Sequence, residues 1–234
     1  MLNDLQIRSL DALGLTAAPV AVAFLPAPPA GLPRAARPDA ASCGYWKQAA
    51  EGHAFYTTAG DHENCPVGAF THGVPLSPAK SQELQGLVGT MIELKYLQSD
   101  EVPQIPHREH PMQVAAYAPL ALATFDPDVV IFRGNARQIM LLSEAARRAG
   151  VFDTSAVMGR PACAILPQSI AGSSGVMSVG CIGNRVYTGL GDDELYLAIP
   201  GPAVGQVVQE LETIGGANVE LEKFHRARAA SLSA

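Results

Sequence analysis

Proline and glycine recur so often along this chain that few helices or strands can run far before a joint interrupts them. The 234 residues include 18 prolines and 22 glycines. Proline removes a backbone donor and glycine admits left-handed turns, so each marks the end or start of an element. The expectation is a fold of many short pieces. With 48% hydrophobic and 16% charged residues, the chain can bury a sizeable core. The stretch Pro26-Ala27-Pro28-Pro29-Ala30-Gly31-Leu32-Pro33 reads as an exposed extended connector.

Between these joints the periodicities suggest the elements. Leu5, Leu10 and Leu13 lie on one side of a first helix capped by Asn3 and stopped by Gly14. Pro19 to Leu25 reads as a buried strand, and Ala54 to Thr58 as a short one. Ser77-Pro78 opens a helix running to Ile92. The clearest helix starts at Gly134-Asn135, buries Ile139, Leu142, Ala146 and Ala149, and ends at Gly150. Val114–Leu120, Asp128–Phe132, Val176–Tyr187 and Glu194–Ile199 read as strands, the last two paired. The chain from Ala203 onward reads as helical, broken at Gly215-Gly216, with apolar residues suited to an interface or to capping the core. Strands and helices interleave without a strict βαβ rhythm. The expected fold is α+β: one compact domain over residues 1–234, with short helices on a mixed, largely antiparallel sheet.

The net charge of −6, with no cluster of basic residues, gives no reason to expect a nucleic-acid partner. No apolar run reaches the length of a membrane span. The N-terminus lacks a basic segment followed by an apolar stretch, so the expectation is a cytoplasmic protein. A homo-oligomer is expected only on general grounds. In a reducing compartment, four cysteines point to free, metal-bound or catalytic thiols rather than disulfides.

Their positions carry the functional signal. Cys43 follows Ser42 at a helix start, Cys65 precedes Pro66, and Cys163 follows Pro161 by two residues. Cys181 lies in Gly180-Cys181-Ile182-Gly183-Asn184-Arg185. A helix N-terminus favours a thiolate through its dipole and free N–H groups, which predicts a lowered pKa for Cys163 in particular. The bland reading is that cysteine simply packs, as it often does in cores. Gly180 and Gly183 permit close approach of a ligand, or merely a bulge. Arg185 suits an anionic ligand, or merely solvent.

The cysteines are separated by 21, 97 and 17 residues, so no Cys-x-x-Cys pair exists. That argues against a zinc ribbon, a dithiol redox pair and the sequential ferredoxin arrangement. A site assembled from distant segments stays open. His72 lies two turns beyond Cys65, where an exposed surface histidine is the expectation; His107 and His110 fall in a proline-bounded loop. No phosphate loop, dinucleotide fingerprint, nucleophile elbow or zincin motif is present. No acid–base pair stands out, so no complete catalytic mechanism can be written.

The run Gly180 to Tyr187, the run Asp193 to Pro200, Leu15 to Val22 and Cys65-Pro66-Val67-Gly68 together resemble domain-of-unknown-function family 169, a bacterial and archaeal group. The likeness spans about residues 5–228. It implies no reaction, and it selects Cys65 and Cys181 before Cys43 and Cys163. Three expectations follow. The first is a metal centre on Cys43, Cys65, Cys163 and Cys181, an iron–sulfur cluster above all. In it Gly180, Gly183 and Arg185 join Cys65 and Cys181 around the bound group. The second is a small-molecule protein holding an anion while its cysteines pack. The third is a thiol-based redox enzyme or sensor.

Overall fold

The computed structural model describes residues 1–157 and 161–232. In chain order the elements are α1 (Leu2–Leu13), β1 (Val20–Leu25), α2 (Gly44–Ala50), β2 (Phe55–Thr58), α3 (Pro66–Thr71), α4 (Pro78–Glu93), β3 (Val114–Pro119), β4 (Val129–Asn135), α5 (Ala136–Arg148), β5 (Phe152–Val157), α6 (Ile165–Gly172), β6 (Gly175–Ser178), α7 (Ile182–Thr188), β7 (Glu194–Pro200) and α8 (Val204–Leu232). Short 3-10 turns cover Ala59–His62 and Ala162–Ala164, among others.

The seven strands form one sheet in the order β2-β3-β1-β4-β7-β6-β5. Neighbours pair antiparallel except β5 and β6, which run parallel. The expected α+β fold with a largely antiparallel sheet is therefore present.

Both faces of the sheet are covered, which explains why β1 reads as an unbroken apolar run rather than an alternation. Val20 and Val22 face one layer with Tyr117, Ile131 and Ala198. Ala21 and Ala23 face the other with Ala116, Val130, Phe132 and Leu197. The second layer is made by α1, α5 and the first half of α8, where Leu5, Ile139, Leu142, Val207, Val208 and Leu211 are buried. Each such aliphatic side chain, fully buried, contributes roughly 1.5–3 kcal/mol. The first layer is made by α2, α3, the 162–164 turn and α6, and it contains Cys43 and Cys163.

Two expectations are corrected. Val176–Tyr187 is not one strand: β6 ends at Ser178, Gly180 turns with φ +75°, and Cys181 caps a helix. Its β-prone residues Ile182, Val186 and Tyr187 are exposed, whereas Asn184 and Thr188, one turn apart, are buried. Burial of that polar pair, not the apolar alternation, sets the local period.

The second correction is that α8 runs unbroken through Gly215 and Gly216. Two glycines cost a helix about 2 kcal/mol relative to alanine. Packing of Val207 to Leu211 upstream holds the first half. Arg148 of α5 reaches Glu210 upstream at 2.7 Å, and Arg137 of α5 reaches Asn218 at 3.3 Å and Glu222 at 2.9 Å downstream, tying both sides of the glycines to one neighbour.

Candidate functional site

Cys65 and Cys181 are built the same way. Each is an N-cap whose Sγ accepts the backbone N–H three residues on: Gly68 for Cys65 and Asn184 for Cys181, both at 3.4 Å. Pro66 occupies the first position of α3, where a missing N–H costs nothing. Both cysteines are partly exposed. Cys43 is also an N-cap, for α2, though its side chain makes no cap hydrogen bond. Cys163 lies in the 3-10 turn ahead of α6, with Thr71 Oγ1 at 3.2 Å from its Sγ. Cys43 and Cys163 are buried, and all four cysteines are free.

The four thiols share one neighbourhood. Burial pushes the Cys43 thiol up to about 12, and negative charge on Cys65 and Cys181 pushes it the same way. Burial holds the Cys163 thiol well above its ordinary range, with charge on Cys65, Cys43 and Cys181 adding to the shift. The lowered pKa expected for Cys163 from the helix dipole is thus overturned. Desolvation of a buried thiolate outweighs the field of a single turn. Two of the thiols, Cys43 and Cys163, are buried, and two, Cys65 and Cys181, are partly exposed and accept cap hydrogen bonds.

Glycines let the segments approach. A Cβ on Gly68 would collide with the Ser42 hydroxyl and come within 3.0 Å of Cys65 Sγ. A Cβ on Gly180 would stand 2.6 Å from Leu190 Cδ2, on a backbone that L side chains rarely adopt. Gly183 is exposed on α7, and a Cβ there would make only ordinary contact with Tyr187. Arg185 donates to the carbonyls of Val179 at 2.6 Å and Gly191 at 2.7 Å. It thereby ties together the ends of the loop carrying Cys181.

Asn184, which the sequence did not single out, is the most telling neighbour. It is 1% exposed. Its amide lies near enough to Cys43 and Tyr196 to favour their anions, yet neither Nδ2 nor Oδ1 completes a hydrogen bond. Tyr117, fully buried beside Cys163 and Cys43, likewise has an unpaired hydroxyl. A buried polar group without a partner costs about 1–3 kcal/mol, so these groups mark a place built to face something polar. The spacing Cys181–Asn184 is that of an N-cap and its third helical residue. That signal was present in the sequence but hidden by reading the segment as a strand.

Ser42, the residue before Cys43, belongs to a buried hydrogen-bonded chain with His62 and Thr57. His62 Nε2 is 2.8 Å from Thr57 Oγ1, and Nδ1 is 2.9 Å from Ser42 Oγ. Thr57 Oγ1 donates to the Ala115 carbonyl, so His62 Nε2 is the donor to Thr57 and Nδ1 the acceptor from Ser42. Burial lowers the His62 pKa to about 4, against a small opposing pull from Asp61. His72 is fully buried, not exposed as expected: it closes α3 and packs edge-on to His62 and Phe24. His107 and His110 are exposed; His107 rests against the Phe70 ring.

Among the described residues, no three His, Cys, Asp or Glu side chains are grouped so as to hold a metal ion as placed. No helix among them is long and apolar enough to cross a membrane. A groove of about 740 Å³ lies on the opposite layer between α1, α5 and α8, remote from the thiols.

Comparison with known proteins adds relatives without adding a reaction. An uncharacterised protein of Methanocaldococcus jannaschii is 26% identical over 163 residues, which is 67% of this chain and 69% of that protein. No solved structure matches. The family model described as uncharacterised ArCR, domain-of-unknown-function family 169, matches residues 10–210, a span that contains all four cysteines, and the chain belongs to that family.

Proposed function

We propose that Cys43, Cys65, Cys163 and Cys181 together hold a metal centre, and that this centre is an iron–sulfur cluster. The observation that carries the reading is the meeting of four free thiols from four separate segments around one neighbourhood, with the orphaned amide of Asn184 beside Cys43. Four thiolates are the donor set such clusters take. A cluster also spans more space than one ion, because its own irons and sulfides lie between the protein ligands. Thiols too spread to close on a single ion can therefore still serve one. The raised pKa values of Cys43 and Cys163 do not oppose this. A metal displaces the thiol proton on binding, so uptake would release protons and grow stronger with pH.

The same raised values disfavour Cys43 and Cys163 as free nucleophiles, which need thiolate at neutral pH. Asn184 Nδ2 and the Tyr117 hydroxyl, both without partners, would donate hydrogen bonds to cluster or cysteine sulfur and so tune a reduction potential.

The test is anaerobic reconstitution with ferrous iron and sulfide, followed by visible spectra and by iron and sulfide analysis. The expected result is a brown protein with stoichiometric iron and sulfide, and loss of the chromophore in Cys43→Ser and Cys163→Ser. A colourless, iron-free protein after reconstitution sinks the reading.

A further inference from the structure

A second polar group lies beside the far end of α3, and the proposed metal centre does not use it. The backbone N–H of Arg108 donates to the Thr71 carbonyl at 3.0 Å, which fixes the Arg108 loop against the His72 end of the helix. The Arg108 guanidinium lies over the Phe24 ring, 4.1 Å from its centroid. Phe24 in turn meets the His72 ring edge-on at 5.5 Å. Arg108, Phe24 and His72 thus form one contiguous group.

Its polar atoms are unsatisfied. His72 has no exposed surface, and neither Nδ1 nor Nε2 has a hydrogen-bond partner. Arg108 Nε is buried and unpartnered too. Arg108 makes no ion pair among the described residues. Asp128 bears on it through space only, its carboxylate being engaged by the Phe24 N–H at 2.7 Å. A half-buried cation without an anion, backed by a fully buried imidazole without a partner, is costly in an isolated fold. The contact with the Phe24 ring uses no N–H donor of the guanidinium, which leaves its N–H groups for recognition of an anion. Those groups match a carboxylate or a phosphate.

We infer that Arg108 and His72 form a binding site for a small oxyanion, a carboxylate or phosphate group, beside Phe24. The Arg108 guanidinium supplies the charge and paired N–H donors, and the neutral His72 ring supplies one further donor. Thr71, next to His72, contacts Cys163, so the bound anion stands on the α3 segment that also carries Cys65. The site itself needs no metal.

The experiment titrates the full-length, metal-free, reduced protein with inorganic phosphate and, separately, with acetate, at constant ionic strength in chloride. Heat is recorded by calorimetry and the histidine ring nitrogens by NMR. Saturable binding of at least one probe is expected, with a shift of the His72 ring signals. Phosphate alone would assign a phosphate group, acetate alone a carboxylate, and both a general oxyanion site. Arg108→Gln should weaken binding at least tenfold, Arg108→Lys less, and Arg226→Gln, at an exposed cation on α8, should leave it unchanged. If Arg108→Gln does not fold, Arg108→Lys and the His72 signals still decide. No saturable binding of either probe, an unmoved His72 ring, or equal affinity in the folded arginine variants would overturn the inference.

Discussion

Replacing His62 with glutamine should remove about 2 kcal/mol of the stability that the metal-free protein loses between pH 7 and pH 5. His62 is 1% exposed, and burial lowers its pKa to about 4. In the unfolded chain the ring titrates near ~6.5. At pH 7 the ring is neutral in both states, so its stability contribution is fully present. As pH falls below about 6.5 the unfolded chain takes up a proton that the folded protein refuses. Stability is therefore lost between the unfolded and folded values and levels off once pH has passed below the folded one.

At about 1.36 kcal/mol per unit, the shift accounts for about 3 kcal/mol in full and for about 2 kcal/mol by pH 5. The surroundings act in the difference between variants. Asp61 pulls the His62 value slightly upward, while Ser42, Thr57, Tyr45 and His72 face the ring. His72 is shifted in the same direction by burial, but it is present in both proteins and largely cancels. Glutamine can still hydrogen-bond toward Ser42 and Thr57 without titrating. Urea unfolding of both proteins at pH 7 and pH 5 gives the numbers. An equal loss in wild type and His62→Gln would refute the argument, because the buried ring would then not be the group refusing the proton.

Two further outcomes bear on the thiol site. Asn184→Leu removes an unpaired buried amide, so the metal-free protein should melt at or above the wild-type temperature while reconstituted iron is held less well; a metal-free loss of more than about 2 kcal/mol would show that the amide is already satisfied. Gly180→Ala places a Cβ on a backbone at φ +75° and against Leu190, and should cost about 1–2 kcal/mol in chemical unfolding while slowing iron uptake through displaced Cys181, whereas unchanged stability would show that the turn relaxes freely.

Local chemistry was legible wherever one signal dominated. The α5 boundaries follow from Asn135, which caps Gln138 in a reciprocal capping box, and from the stripe of Ile139, Leu142 and Ala146. Ser77-Pro78 starts α4 for equally local reasons. The placement of Cys43 and Cys65 at helix starts was readable for the same reason, since a cap is a matter of three or four residues, whereas the cap at Cys181 was masked by the strand-like residues after it. What failed did so where distant contacts overrode local preference. Ile182, Val186 and Tyr187 favour a strand, but the buried pair Asn184 and Thr188 makes the segment a helix. Gly215 and Gly216 favour a break, but α5 grips the helix on both sides. His72 reads as a surface residue, yet Phe24, His62 and the Arg108 loop enclose it.

The sequence by itself determined that four cysteines occur without pairing motifs, and that Cys43 and Cys65 cap helices, because both properties depend on neighbours along the chain. It also determined that the chain forms many short elements around an apolar sheet. Only the tertiary structure decided that segments with as many as 97 residues between successive cysteines bring their thiols into one neighbourhood, that two of those thiols are buried and pushed upward in pKa, and that Asn184, Tyr117 and His72 are left unpaired in the interior. Burial and desolvation are properties of the packed layers, and no spacing along a single chain encodes them.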